Sequence, residues 1–139
     1  MLKSVLMAAA ILGLTAGAVA ENEQSKLPFS KAVRVGNTLY LSGELGAKPG
    51  TMELVPGGIG PETRQTMENI KATLEAHGSD MQHVVKCLVM LADINEWAEM
   101  NEVYRTYFTG RFPARSAMGA SGLALGARVE IECIATVKY

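Results

Sequence analysis

Residues 112–137 read FPARSAMGASGLALGARVEIECIATV, and this stretch decides the fold that we expect for the chain. It reads as two β-strands joined by a Gly-rich turn. The first strand should run from Arg115 to Ser121, because the fixed φ and missing N–H of Pro113 suit a strand entrance. The second strand alternates, and successive strand side chains point to opposite faces. One face is therefore predicted to pack in the core, and it carries Val129, Ile131, Cys133, Ala135 and Val137. The other face is predicted to be polar, and it carries Arg128, Glu130 and Glu132.

The polar face has two interpretations. An Arg-x-Glu-x-Glu pattern is most often a solvated strand face, whose surface ion pairs contribute about 0–1 kcal/mol each. The alternative is a site in which Arg115 grips a small acidic molecule that the carboxylates of Glu130 and Glu132 help to attack. The pattern by itself favours the solvated face.

Further strands are expected at residues 31–35, 38–42, 52–55 and 83–91. The Gly36-Asn37 pair should form a two-residue hairpin turn between the first two strands. The third lies in a Gly- and Pro-rich flap at residues 43–60, which we expect beside the site.

Two amphipathic helices are predicted between these strands. The first should begin at Pro61 and end at Gly78, with an apolar stripe of Met67, Ile70 and Leu74. The second should run from a capping box of Asp93 and Glu96 to Gly110. Its buried stripe is predicted to comprise Trp97, Met100, Tyr104, Tyr107 and Phe108.

This order predicts an α+β domain with the helices gathered on one face of a mixed sheet. A sheet covered on one side should have a polar second face, yet the strand at residues 83–91 places Leu88 and Met90 there. Something must cover these side chains, and we infer that the chain oligomerises.

FPARSA and VEIECIATV resemble the paired C-terminal signature of the RidA/YjgF family, the reactive intermediate deaminases. Three earlier blocks resemble that family in the same order: VGNTLYLSGELG, TRQTMENIKATLEAHG and VVKCLVMLADINEWAEMNEVYRTYF. The resemblance covers nearly all of the chain after Ser25. Several ordered blocks across a domain are far more specific than a single short motif.

The resemblance implies a chorismate-mutase-like fold over residues 27–139, built as a homotrimer with a ligand site in each cleft between subunits. It implies hydrolysis of 2-imino or enamino acids, of the 2-iminobutanoate/2-iminopropanoate type, to 2-keto acids and ammonia. Arg115 would then hold the substrate carboxylate bidentately and Glu130 would orient water, without metal or cofactor. Glu132, on the same face, would raise one of the two carboxyl pKa values.

The family's other substrate-binding positions map onto Phe29, Ser42, Gly43, Asn101 and Ala117. Gly43 would let backbone approach the ligand closely. For two of these positions a structural alternative is open. The Ser42 hydroxyl could bond locally at a strand end, and the Asn101 amide, on the apolar side of its helix, could have a purely structural partner.

The chain departs from the family at Phe29, where tyrosine is common, at Ala117, where cysteine or serine is frequent, and at Glu44, where glutamine is frequent. Ala124-Leu125 also replaces the usual Pro-Lys. Glu44 would oppose an anionic substrate if it faced the cleft. An exported trimer that binds a small carboxylate without turnover is therefore the alternative function, and a chaperone-like oligomer is a third.

Residues 1–20 have the pattern of a signal peptide, with Lys3, an apolar run and the small-x-small sequence Ala18-Val19-Ala20. We expect cleavage after Ala20, a flexible segment at residues 21–26, and a periplasmic or secreted protein that does not associate with the membrane. A retained N-terminal anchor is the alternative.

The formal net charge is −1, without the clustered Lys and Arg excess of nucleic-acid-binding proteins, which disfavours the endoribonuclease activity sometimes attached to the family. The only histidines are His77 and His83, so no metal site is expected. Cys87 and Cys133 lie mid-strand among apolar residues. We expect buried free thiols, with a disulfide as the alternative in an exported protein.

Overall fold

The computed structural model describes residues 27–138. Along this range the elements are β1 (Ala32–Val35), β2 (Thr38–Leu41), β3 (Glu44–Leu45), α1 (Ile59–Ala76), β4 (Val84–Leu91), α2 (Trp97–Tyr104), β5 (Ala114–Gly119) and β6 (Val129–Thr136). This is the α+β order that the sequence predicts. The expected signal peptide at residues 1–20 and flexible segment at residues 21–26 lie outside the described residues, as does Tyr139.

The strands form one mixed sheet in the order β1-β2-β6-β4-β5, with β3 also paired to β6. β4 runs parallel to β5 and antiparallel to β6, so it lies between them. Residues 112–137 thus form two strands with a Gly-rich connection, as expected, but the two strands are not neighbours in the sheet. Every residue offers the same backbone donor and acceptor, so the alternation in β6 cannot indicate which strand is its neighbour.

The packed face of β6 is confirmed, and its alternate residues from Val129 to Val137 are buried. They contribute to one core with the stripe of α1, in which Met67, Ile70 and Leu74 are fully buried. Period two in the strand and period 3.6 in the helix thus assign these side chains to the core correctly.

The opposite face of the sheet carries exposed or half-buried apolar side chains. Tyr40 and Met118 are exposed there, and Leu88 and Met90 are half-buried on the face where the sequence places them. Helices α1 and α2 pack against each other on the other face. The described chain therefore leaves a face of mixed apolar and charged side chains without a helical cover.

The flap does not contain the strand that we expect at residues 52–55. Instead, β3 forms at Glu44–Leu45, and Leu54 makes an isolated bridge to Ala47. The backbone N–H of Lys48 donates to Glu53 O at 2.8 Å, and that of Val55 donates to Gly46 O at 2.9 Å. The flap folds back on itself, so these groups are not available to the main sheet.

Helix α2 is shorter than predicted, with 3-10 turns on both sides at Ile94–Glu96 and Arg105–Tyr107. The Asp93 carboxylate accepts from Asn95 N at 2.9 Å, but Glu96 forms an ion pair with Arg128, so the expected capping box is absent. The Arg128 guanidinium is therefore held by Glu96, the residue before α2. Trp97, predicted to be buried, is 45% exposed.

Cys87 and Cys133 form a disulfide, so the expectation of two free thiols is wrong. The two residues are directly opposite each other in the β4–β6 ladder, with Cα atoms 4.1 Å apart, and both are buried. Their sequence surroundings are those of small core residues. The disulfide depends on register, which local sequence does not reveal.

Candidate functional site

Arg115 lies on the edge strand β5 and is held by one face of α2. Its Nη1 donates to Asn101 Oδ1 at 2.7 Å. Its guanidinium carbon lies 4.7 Å from the centroid of the Tyr104 ring and 5.8 Å from that of Trp97. These three α2 residues are spaced i, i+4 and i+7, so they form one row along the helix.

The structure identifies the partner of Asn101 as Arg115. Asn101 was expected either to line the ligand site or to make a structural hydrogen bond. Its observed hydrogen bond is consistent with both expectations, because the partner is the proposed substrate anchor. A hydrogen bond to a charged group is worth roughly 1.5–3 kcal/mol. Asn101 orients the guanidinium through one of its five N–H donors.

Glu130 lies against Gly43. A Cβ built on Gly43 would stand 2.1 Å from Glu130 Oε1 and 2.9 Å from Glu130 Cδ. The sequence predicts that Gly43 allows a close approach of the ligand, but in this chain the group that approaches is the Glu130 carboxylate. Any larger residue at position 43 would displace that carboxylate.

Burial raises the pKa of Glu130 above its ordinary value, and the nearby charge of Glu132 raises it further. The sequence attributes such a shift to Glu132, so the direction is as expected but the larger cause is different. A carboxylate with a raised pKa is a better proton acceptor near neutral pH than a solvated one.

Arg115 and Glu130 lie on opposite faces of the sheet within one chain. Arg115 is paired in register with Cys87, whose side chain is in the core, and it contacts α2. Glu130 is paired with Met90 on the face without helices. Because paired residues in adjacent strands share a face, a single chain does not bring this arginine and this carboxylate together.

The structure also shows the surroundings of three other predicted site residues. Phe29 is 54% exposed. The Ser42 hydroxyl donates to Ser30 O at 2.6 Å, which is the local hydrogen bond that was the alternative for this residue. Ala117 is half-buried two residues after Arg115, in register with Val89, and so lies on the same face as Arg115.

Glu44 is buried beneath α1 and does not oppose a substrate in an open cleft. It is only 5% exposed, and its two carboxylate oxygens accept from Lys31 Nζ at 3.0 and 3.1 Å. The Thr73 hydroxyl of α1 donates to it at 3.0 Å. Its negative charge is therefore paired inside the fold.

Sequence reasoning missed Trp97 and Tyr104 as neighbours of Arg115. Both were assigned to the buried stripe of α2. Their spacing around the polar Asn101 is the signal that could have shown that they also contact Arg115. A polar residue at the centre of an apolar helix face indicates a buried polar partner.

Within residues 27–138, the side-chain hydrogen bonds of the two histidines go to residues other than these site residues. His77 contacts Thr73 O through Nδ1, and His83 contacts Asp80. Over residues 27–138 no cluster of three or more His, Cys, Asp or Glu side chains could hold a metal ion. In the same range, no helix has the length and apolar character needed to cross a membrane.

A family model described as Endoribonuclease L-PSP matches residues 20–137. The chain belongs to this family, the RidA/YjgF family. Its relatives include proteins named 2-iminobutanoate/2-iminopropanoate deaminase from Bos taurus and Homo sapiens, which are 49% and 44% identical over 108 residues. Each match covers 78% of this chain and 79% of the relative.

Solved structures of RidA-family members have the same fold. RidA from the Antarctic bacterium Psychrobacter sp. PAMC 21119 is 44% identical with a TM-score of 0.75, and the match covers 79% of this chain and 89% of that chain. E. coli TdcF with bound serine is 31% identical with a TM-score of 0.75, covering 80% and 89%. The RidA-like fold predicted from the sequence is confirmed.

Proposed function

We propose that this RidA-family protein hydrolyses reactive 2-imino acids of the 2-iminobutanoate/2-iminopropanoate type to 2-keto acids and ammonia. The observation that carries the proposal is the state of Arg115. Its guanidinium is oriented by Asn101 and by two aromatic rings, and the side chain remains only partly buried at the sheet edge. The names of the 44–49% identical relatives support the choice of substrate.

Arg115 would bind the substrate carboxylate through a planar pair of N–H groups. The enamine first tautomerises to an iminium, whose C2 is electrophilic without activation by a metal or a covalent nucleophile. Water adds to C2 while Glu130 accepts a proton from it, and Glu130 then returns this proton to the nitrogen. The C2–N bond breaks, ammonia leaves with the bonding electron pair, and the C2 hydroxyl loses its proton to Glu130 as it becomes the keto group. The protein contributes orientation and a positioned water.

The complete site would form between copies of the chain in a homotrimer. Arg115 is on an edge strand and Glu130 faces away from the helices, so a neighbouring copy that packs on the uncovered face could bring its own Glu130 to this Arg115. The apolar side chains of that face favour such an association, because burial of apolar surface is the main driving force of assembly. The serine bound to E. coli TdcF is consistent with a small ligand in this family.

The proposed location is the periplasm or the exterior of the cell. The Cys87–Cys133 disulfide supports this proposal, since disulfides persist in oxidising compartments and are rare in the cytoplasm. Imines generated there would be the substrates.

The test is a coupled assay in which an amino-acid oxidase produces 2-imino acids in situ. Arg115→Ala should abolish both hydrolysis and binding of a 2-keto acid, and Glu130→Gln should abolish hydrolysis but leave binding intact. Arg111→Ala, which removes an exposed arginine four residues earlier, is the matched control. Keto-acid binding without turnover by the wild-type trimer would favour the non-catalytic binding protein. A wild-type activity that persists in Arg115→Ala would exclude this site.

A further inference from the structure

We propose that Tyr104 is a positioning residue whose buried ring fixes the plane of the Arg115 guanidinium for a ligand carboxylate. This inference rests on the proposed function, in which Arg115 is the carboxylate anchor. The ring centroid lies 4.7 Å from the guanidinium carbon, closer than that of Trp97 at 5.8 Å. Tyr104 is only 4% exposed, and cation–π attraction is stronger where water is excluded.

A second restraint on Arg115 is needed because hydrogen bonding alone leaves it free to rotate. Among the contacts of residues 27–138, its side chain makes a single hydrogen bond, from Nη1 to Asn101. That bond leaves four of the five N–H donors for a ligand but does not define the tilt of the plane. A ring beneath the guanidinium restricts this tilt without using a donor.

The ring, and not the hydroxyl, makes this contact. The Tyr104 hydroxyl is buried and has no hydrogen-bond partner among the described residues. Burial raises the pKa of Tyr104 to about 12, although the positive charge of Arg115 opposes the rise. The side chain is therefore neutral at working pH and acts through its π face.

The aromatic neighbours of Tyr104 connect the ring to the strand that carries Arg115. The Tyr104 and Phe108 centroids are 5.0 Å apart, and Phe108 meets Phe112 edge-on at 6.2 Å. Phe112 stands three residues before Arg115. Packing of these rings holds the α2 end and the entrance of β5 in one arrangement, so the guanidinium and the ring keep their relative positions.

The experiment compares Tyr104→Phe, Tyr104→Leu and Tyr104→Met in the full chain. KM and kcat are measured in the imine assay, and 2-oxobutanoate binding is followed by the fluorescence of Trp97, the single tryptophan. Tyr104→Phe should stay within about twofold of wild type, whereas Leu and Met should raise KM and the keto-acid Kd about 3- to 30-fold and change kcat less. Met provides a second ring-free variant if Leu does not fold.

Tyr107→Leu is the matched control. Tyr107 is a half-buried tyrosine of the same segment, and its hydroxyl contacts Glu68 and Arg64 O instead of Arg115. Wild-type KM and Kd in Tyr104→Leu would overturn the proposal, as would equal losses in Tyr104→Phe or in Tyr107→Leu. If the wild-type protein binds 2-oxobutanoate but hydrolyses no imine, the proposed function fails, and the binding comparison still decides the role of Tyr104.

Discussion

Arg115 and Glu130 point to opposite faces of the same sheet. Arg115 shares the helix-covered face with Cys87, and Glu130 shares the uncovered face with Met90. A site that uses both residues must therefore combine two chains, with the arginine from one copy and the carboxylate from its neighbour. In a closed ring of identical subunits, every interface would repeat the same pair.

Mixing Arg115→Ala and Glu130→Gln protomers should restore activity that neither variant has alone. After random reassembly of equal amounts, about a quarter of the interfaces would contain both an intact arginine and an intact glutamate. The measurement is imine hydrolysis before and after subunit exchange. Activity that stays at background in verified mixed trimers would place both residues in sites within single chains.

Gly43→Ala should lower kcat about tenfold or more with a smaller effect on KM. The new methyl group would occupy the position of the Glu130 carboxylate, and general-base catalysis contributes about 10²–10⁴-fold. Gly122→Ala is the control, because a Cβ at that position meets nothing within 4 Å. A fully active Gly43→Ala protein would show that Glu130 can leave Gly43 without loss of function.

Glu132→Gln should move the acidic limb of the pH–rate profile to lower pH. As a base, Glu130 is active only when it is deprotonated, so activity rises as pH increases through its raised pKa. Removing the negative charge of Glu132 takes away one of the two causes of that raised pKa, while burial remains. The profile of kcat/KM against pH measures the shift. If the acidic limb does not move in Glu132→Gln, the limb reports the titration of a group other than Glu130.

The Cys87–Cys133 disulfide should add about 2–4 kcal/mol to the free energy of unfolding. Denaturant unfolding of the wild-type protein should therefore shift to lower denaturant when reductant is present. The Cys87→Ala/Cys133→Ala variant should unfold at lower denaturant than the oxidised wild-type protein, and its midpoint should not change when reductant is added. A wild-type midpoint that does not respond to reductant would mean that the thiols are free.

Protonation of Asp80 should lower the free energy of unfolding in acid. A hydrogen bond from His83 and an ion pair with Lys138 lower the pKa of Asp80 from 3.8 to about 2, against the opposing effect of burial. The pKa of Asp80 is lower in the folded state than in the unfolded state. The ionised Asp80 therefore stabilises the fold above about pH 4, and this stabilisation is lost as the pH falls towards 2.

Asp80→Asn keeps an oxygen that can cap the 3-10 turn at Met81–His83 while removing the charge. It should therefore cost about 1 kcal/mol or less at pH 6 and almost nothing near pH 2. Unfolding at both pH values measures the difference, with the exposed Glu75→Gln as control. An equal loss at both pH values would indicate a structural effect without a charge contribution.

Local sequence predicted the parts of the fold that depend on one element. The stripe of α1 and the buried residues of β6 follow from backbone periods of 3.6 and two, and both are observed. The predictions of a capping box at Asp93 and of a strand at residues 52–55 were wrong. Glu96 pairs with Arg128 instead, and the backbone of the flap forms hydrogen bonds within the flap. The catalytic and substrate-binding roles of the site residues stay predictions.

The sequence by itself determined the family, the buried faces of α1 and β6, and the candidate residues Arg115 and Glu130. Only the tertiary structure decided that β4 separates β5 from β6, that the cysteines pair, and that Arg115 and Glu130 face opposite ways. The physical reason is that side-chain periodicity is a property of one segment. Strand neighbours and register, in contrast, arise from hydrogen bonds between distant segments whose backbone groups are chemically alike.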